Sequence, residues 1–125
     1  MTATQLGISG IDFSGYMVKD AKRAIAFYRD VLGLEPSRVY PEDRGAEYDL
    51  PDGNTFGLWG GAGDVLPFQP SNGILLAVDD LDAAVATVKE RGATIVMETE
   101  TPNCRMAMVK DTEGNTITLH KRKAR

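Results

Sequence analysis

The stretch KDAKRAIAFYRDVLGL, residues 19–34, decides the fold of this chain. Its apolar residues recur at the three- and four-residue spacing of an amphipathic helix, from Ala21 through Tyr28 to Leu32. Asp20 is a typical N-cap residue, and Gly33 is a typical C-terminal stop. The stretch therefore predicts a helix with one buried face, followed by a reversal of the chain.

The second half of the chain carries a weaker copy of this pattern. DDLDAAVATVKERG, residues 79–92, predicts a helix that is capped by Asp80 and ended by Gly92. At nearly the same offset, Asp52-Gly53-Asn54-Thr55 corresponds to Glu113-Gly114-Asn115-Thr116. A single internal repeat of this length indicates that one structural unit is duplicated.

Segments of alternating apolar and polar residues around each predicted helix give each unit the order βαβββ. We expect the first unit over residues 8–60 and the second over residues 72–121, joined by the Gly- and Pro-rich linker 60–72. The expected fold class is α+β, in a single domain over residues 1–125. The two repeats would form a cupped mixed sheet around a cleft, with the helices outside.

The composition disfavours several classes of partner and location. The chain has 18 acidic and 14 basic residues and a net charge of −4, which argues against nucleic acid or an anionic membrane as partner. The single cysteine, Cys104, permits no internal disulfide and fits a reducing compartment. The sequence has neither an apolar run of membrane-spanning length nor a signal-peptide pattern, so the expected location is the cytoplasm.

The segments AIAFYRDVLGLEP and DTEGNTITL, with the duplicated βαβββ order, resemble the vicinal oxygen chelate superfamily. This superfamily includes glyoxalase I, fosfomycin-modifying enzymes, extradiol dioxygenases and bleomycin-resistance proteins. The resemblance extends from about Ile11 to His120. It implies a homodimer whose cleft forms within or between subunits. Because the same scaffold serves both catalysis and plain binding, it does not fix the function.

Enzymes of this superfamily hold a divalent metal ion with His or Glu side chains at the centre of four strands. The resemblance places those positions at Phe13, Gly57, Gly73 and Thr118 of this chain. Phenylalanine and glycine side chains offer no donor atom, and a threonine hydroxyl alone is a weak ligand. The chain has one histidine, so one subunit cannot supply two histidines and a carboxylate. We therefore expect no metal and no other cofactor.

Strand parity predicts which side chains face the cleft. Phe13 and Trp59 would supply aromatic surface. A resemblance to fosfomycin-modifying members implies that Met106 and Met108 also face the cleft, together with Glu47, which is the repeat equivalent of Met108 and would be the carboxylate. The full predicted ligand-binding set is Phe13, Glu47, Trp59, Met106, Met108, Thr118 and His120. Among apolar neighbours the pKa of Glu47 is expected to rise, which makes Glu47 a candidate for a catalytic base. The imidazole of His120 is the other candidate.

These features favour a glyoxalase- or bleomycin-resistance-like protein that binds a small, partly aromatic or cationic molecule in an apolar cleft without metal. The alternative is a lyase, isomerase or dioxygenase of the same superfamily that uses Glu47 or His120 as a base, or an atypical metal site. A non-catalytic accessory subunit is a third reading. The sequence leaves open whether a reaction is catalysed, and it does not name the ligand.

Overall fold

The structure is a computed structural model, and it describes residues 6, 7, 9, 11–60 and 68–123. Most of the predicted linker, residues 61–67, lies outside the described residues. A short 3-10 turn (Pro41–Asp43) lies between β2 and β3. The helices and strands are β1 (Ser14–Val18), α1 (Ala21–Asp30), β2 (Arg38–Val39), β3 (Gly45–Asp49), β4 (Thr55–Gly60), β5 (Ile74–Ala77), α2 (Leu81–Glu90), β6 (Ile95–Glu100), β7 (Cys104–Lys110) and β8 (Thr116–Arg122).

Both helices begin and end where the sequence predicts. The side chain of Asp20 accepts a hydrogen bond from the backbone N–H of Arg23, and Asp80 caps α2 in the same way. Gly33 and Gly92 follow the two helices with φ of 72° and 90°, a conformation that glycine adopts without strain. Among the described residues, no helix is both long enough and apolar enough to span a membrane.

The strands form two four-stranded mixed sheets, one from each repeat. The strand orders are β1-β4-β3-β2 and β5-β8-β7-β6, so the two sheets have the same topology. In each sheet the first and last strands of the repeat pair in parallel, and the other pairs are antiparallel. The predicted α+β class with two βαβββ repeats is therefore confirmed. Within the described residues, no strand ladder joins one sheet to the other.

Each helix covers one face of its own sheet, and the two covered faces share a core. Around α1, the side chains of Tyr28, Tyr48 and Phe56 are almost fully buried, and the rings of Tyr28 and Phe56 lie 5.5 Å apart. This cluster includes Ile117 from the second repeat, while the cluster around α2 includes Val31 from the first. The two repeats are therefore packed together through the helix-covered sides of their sheets.

A buried carboxylate joins the β7–β8 turn of the second repeat to the start of α1. The side chain of Glu113 is fully buried. Its carboxylate accepts hydrogen bonds from the backbone N–H groups of Lys19 and Asp20 at 2.7 and 2.9 Å, and from Nε of Arg23 at 2.7 Å. These three hydrogen bonds offset the cost of removing the carboxylate from water, so breaking the contact would leave an unsatisfied buried charge.

Asp111 and Asn115 complete this joint. The Tyr28 hydroxyl donates to Asp111 at 2.9 Å, and the Asn115 side-chain amide donates to Asp111 and to the carbonyl of Met17. The side-chain oxygen Oδ1 of Asn115 accepts a hydrogen bond from the backbone N–H of Ser71. Asp111 and Asn115 are both buried, so each hydrogen bond replaces one that water would make in the unfolded chain.

Because of this joint, the free energy of unfolding depends on pH in the acid range. Burial raises the pKa of Glu113, but the hydrogen bonds from Arg23, Asp20, Thr112 and Lys19 outweigh burial and lower the pKa from 4.5 to about 2. Because the folded pKa lies below the unfolded one, the stabilisation is present above about pH 4.5 and is lost as the pH falls towards 2. Its size is on the order of 3 kcal/mol.

We predict that Glu113→Gln lowers the free energy of unfolding by about 3 kcal/mol at pH 7, because it removes the charge that holds three donors. In urea denaturation, the gap between wild type and variant should shrink between pH 5 and pH 2. Glu98→Gln, at an exposed glutamate on β6, is the matched control and should leave stability unchanged. A gap that is independent of pH would contradict the assignment.

Candidate functional site

The face of each sheet that points away from its helix is the candidate site. In β1, Tyr16 and Val18 are buried against α1, so their neighbours Gly15 and Met17 point to the other side. We call this side the first open face; its residues are Gly15, Met17, Arg38, Gly45, Glu47, Asp49, Thr55, Gly57 and Trp59, with Phe13 just before β1. The second open face consists of Leu75, Ala77, Met97, Thr99, Met106, Met108, Lys110, Thr116, Thr118 and His120.

An aromatic pair stands on the first open face. The rings of Phe13 and Trp59 meet edge to face, with centroids 5.9 Å apart and an interplanar angle of 89°. Gly57 lies between them: a Cβ atom there would lie 3.6 Å from both rings. Phe13 is 46% exposed. Because nothing larger than glycine separates the rings, they present a continuous aromatic surface above the strand.

The close approach of β1 to β4 explains why glycines lie beneath this pair of rings. Gly15 pairs with Gly57 in the parallel ladder. A Cβ atom on Gly15 would lie 1.8 Å from the carbonyl oxygen of Gly57, so no side chain fits at residue 15 in this backbone. The two glycines differ in this respect, because Gly57 has room for a small side chain.

A polar corner lies at the other edge of the first open face. Arg38 pairs with Glu47 across the β2–β3 ladder, and its Nε atom lies 2.8 Å from the Glu47 carboxylate. Arg38 also contacts Asp49 through two hydrogen bonds of 3.0 and 2.7 Å. The Tyr40 hydroxyl donates to the remaining Glu47 oxygen. The corner therefore holds two carboxylates and one guanidinium, with a net negative charge.

The expectation that the pKa of Glu47 rises is wrong. The hydrogen bond from Tyr40 and then that from Arg38 lower the pKa of Glu47 below its usual value. Burial and the Glu47 carboxylate raise the pKa of Tyr40 to about 12. A carboxylate held ionised in this way is a poor proton acceptor, so Glu47 suits electrostatic binding better than general-base catalysis.

The second open face is rich in methionine. Met97 pairs with Met108, and Met108 pairs with Thr118, so three neighbouring strands bring these side chains into one row. Met106 lies two residues before Met108 on β7, opposite His120. Unbranched methionine side chains adapt to ligands of different shape, which makes this face a suitable surface for a small apolar molecule.

Strand register therefore gathers the predicted residues into two groups. Phe13, Glu47 and Trp59 lie on the first open face; Met106, Met108, Thr118 and His120 lie on the second. Thr118 is only 3% exposed, whereas His120 is partly buried near the end of β8.

Sequence reasoning did not identify Arg38, Tyr40 and Met97 as members of the site. The resemblance placed Glu47 in the cleft as the repeat equivalent of Met108, but only the register of β2 against β3 brings Arg38 to it. The pattern of β6 gave no clear parity because its pairing with β7 is irregular between Ile95 and Met97. An alternation count extended to short strands would have suggested Arg38.

The metal positions implied by the resemblance do not fit a metal ion. Phe13 and Gly57 contribute no donor atoms, and Gly73 is equally without a side chain. In the part of the chain that the structure describes, no group of three or more His, Cys, Asp or Glu side chains is placed to hold a metal ion. These positions therefore lack the donor atoms that a metal site requires.

Comparisons with known proteins agree with this architecture. The sequence profile of the Glyoxalase/Bleomycin resistance protein/Dioxygenase superfamily matches residues 10–119. A comparison with proteins of curated function found no match.

Solved structures give the same fold over nearly the whole chain. TnmS3, an antibiotic binding protein from Streptomyces sp. CB03234, is 27% identical with a TM-score of 0.78, over 94% of this chain and 98% of its own. A glyoxalase/bleomycin resistance protein from Catenulispora acidiphila is 28% identical with a TM-score of 0.68, over 87% and 95%. A superfamily member from Sphaerobacter thermophilus is 26% identical with a TM-score of 0.71, over 91% and 98%.

The two paired glycines should respond differently to the same substitution. Gly57→Ala places a methyl group at ordinary contact distance from two rings, so the free energy of unfolding should change by less than about 1 kcal/mol. Gly15→Ala forces a methyl group into the backbone of β4 and should cost about 2 kcal/mol or more. Urea denaturation of both variants measures this. Equal losses would mean that β1 and β4 do not approach as closely as described.

Proposed function

The chain belongs to the Glyoxalase/Bleomycin resistance protein/Dioxygenase superfamily, and from this premise we propose that it binds a small, partly aromatic or cationic molecule on its open sheet faces without a metal ion. One observation carries the proposal. At the positions where the resemblance places metal ligands, this chain has an aromatic ring and glycines, and the aromatic pair of Phe13 and Trp59 stands over one of those glycines. A surface of this kind favours stacking over coordination.

Charge on the first open face supports a cationic ligand. Glu47 and Asp49 share the single guanidinium of Arg38, and hydrogen bonds lower the pKa of both carboxyls. Both therefore stay ionised at neutral pH and attract a positive group. A cation over the face of Trp59 would gain a further contribution from the ring.

The second open face suits the apolar part of such a ligand. Met106, Met108 and Met97 provide flexible apolar contacts. The polar residues that pair with them in register are His120, Thr118 and Thr99. A related protein, TnmS3, is an antibiotic binding protein, which supports binding as the role of this scaffold here. An enzyme that uses His120 as its base is the remaining catalytic reading, since Glu47 is held ionised by Tyr40 and Arg38.

We propose further that two copies of the chain assemble, in the cytoplasm, and that the dimer completes the cleft. Apolar side chains on the second sheet are about half exposed in one chain: Leu75 is 51% exposed and Met97 is 54% exposed. Surfaces of this kind are typical of sites that bind another molecule. The buried free thiol of Cys104 is compatible with a reducing compartment.

Metal content tests the proposal first. The purified protein should hold no stoichiometric nickel, zinc, manganese or iron by mass spectrometry, and adding these ions should not raise its melting temperature. His120→Ala is the diagnostic variant because His120 is the only histidine. A stoichiometric metal that is lost in His120→Ala would overturn the metal-free reading and turn the search towards enzyme substrates.

Loss of Trp59 should weaken ligand binding while the fold persists. Because Trp59 is the only tryptophan, quenching of its fluorescence screens a panel of aromatic cations and their neutral analogues. For the tightest hit, Trp59→Ala should cost about 1–3 kcal/mol in calorimetry, which is roughly a 5- to 150-fold loss of affinity.

Val39→Ala is the matched control for this experiment. Val39 is exposed and lies next to Arg38, so its side chain points away from the first open face. It should leave affinity unchanged. Equal affinity of Trp59→Ala and wild type would remove Trp59 from the site.

A further inference from the structure

A cavity of about 530 Å³ lies between the two repeats, on the helix-covered side of the second sheet. Leu32 follows α1 and lines one wall, the β3–β4 turn of Leu50 and Pro51 lines another, and Leu76 and Leu119 line the third. Leu76 alternates with Leu75 along β5, so this cavity is separate from the second open face. Its volume lies within the range of about 300–1,000 Å³ that is typical of ligand pockets.

Internal symmetry explains why this space exists. When each lining residue is replaced by its equivalent in the other repeat, the cavity corresponds to the closed joint around Glu113. In that joint the Tyr16 hydroxyl donates to the carbonyl of Thr116 at 2.6 Å and closes the contact between the repeats. The equivalent of Tyr16 is Leu76, which is shorter and cannot bridge the gap.

Two further members of the joint, Asp111 and Glu113, also have different residues at their equivalent positions. Leu50 stands at the position equivalent to Asp111, and Asp52 stands at the position equivalent to Glu113. The Asp52 carboxylate is one methylene shorter than that of Glu113 and accepts hydrogen bonds from Asn54 within its own turn. All three replacements, Leu76, Leu50 and Asp52, line the cavity. The open space is thus a direct result of the sequence difference between the repeats.

The lining combines an apolar wall with carboxylates of one sign. Among the residues that the structure describes, Asp52 and Asp79 are the charged members of the lining, and none of the others is Lys, Arg or His. Hydrogen bonds from the backbone and side chain of Asn54 lower the pKa of Asp52, so its carboxylate is ionised at neutral pH. Both aspartates are exposed, so a ligand can reach them from solvent.

We infer that this cavity binds an amphiphilic cation: an apolar alkyl or aryl body that packs against the leucines, and a protonated amine that faces Asp52 and Asp79. The site is independent of the open faces, since the two share only Ala77 at the end of β5. Two exposed carboxylates give a selectivity for positive over negative head groups on the order of tenfold at low salt.

The test uses three probes with the same body: 4-phenylbutylamine, 4-phenylbutan-1-ol and 4-phenylbutanoate. Titration of the ¹⁵N-labelled full chain at low ionic strength should move the amide signals of Leu50, Asp52 and residues 76–79. The amine should bind on the order of tenfold more tightly than the carboxylate, with the alcohol between them.

Two variants separate charge from volume. Asp52→Asn with Asp79→Asn keeps the acceptor for Asn54 and should abolish the preference for the amine while retaining binding of the alcohol. Leu34→Trp enlarges a half-buried side chain that also lines the cavity and should weaken all three probes. A thermal melt close to that of wild type for both proteins shows that each is folded.

Several results would overturn the inference. These are equal affinity for the amine and the carboxylate, no signal shift up to the solubility limit, or shifts confined to the open faces. Shifts of Leu50, Asp52 and residues 76–79 that follow protein concentration without any probe would mean that a second copy of the chain covers the cavity instead. Binding at the open faces would leave the function proposed above intact, so the two proposals fail separately.

Discussion

The placement of the two repeats depends on one buried charge. Glu113 accepts hydrogen bonds from two backbone N–H groups at the start of α1 and from Arg23, and its side chain is fully buried. A carboxylate that is removed from water is costly unless its oxygens are satisfied, so the start of α1 must stay at the β7–β8 turn. With this joint closed, the helix-covered faces share a core, and the opposite faces of both sheets are not covered by either helix.

Sequence alone predicts the parts of this fold that depend on near neighbours. Asp20 and Asp80 cap their helices and Gly33 and Gly92 end them because each acts within a few residues. The joint could not be predicted in this way. Glu113 was recognised only as the repeat equivalent of Asp52, and its contact with Lys19 joins residues 94 apart in the chain. Such a contact leaves no periodic signal in either segment.

In the candidate site, too, the features set by near neighbours were predictable and those set by distant residues were not. Strand parity was sufficient to place Thr118 and His120 on one face, because alternation is a local property. Met106 and Met108 were included through the resemblance to fosfomycin-modifying members. The environment of Glu47 was wrongly predicted because it depends on the register of a two-residue strand, which brings Arg38 alongside. A residue's place on a face follows from its own strand, whereas its charge state follows from the strands beside it.

Both proposed sites lie where the chain lacks a polar side chain. On the first open face, the resemblance implies metal ligands at the positions of Phe13 and Gly57, and this chain instead carries an aromatic pair beside a glycine. Between the repeats, Leu76 stands where its counterpart Tyr16 closes the joint, and the space beside Leu76 is a cavity. The closed joint at Glu113 holds the two repeats together through buried hydrogen bonds. Its open counterpart is the cavity that we propose as a ligand site.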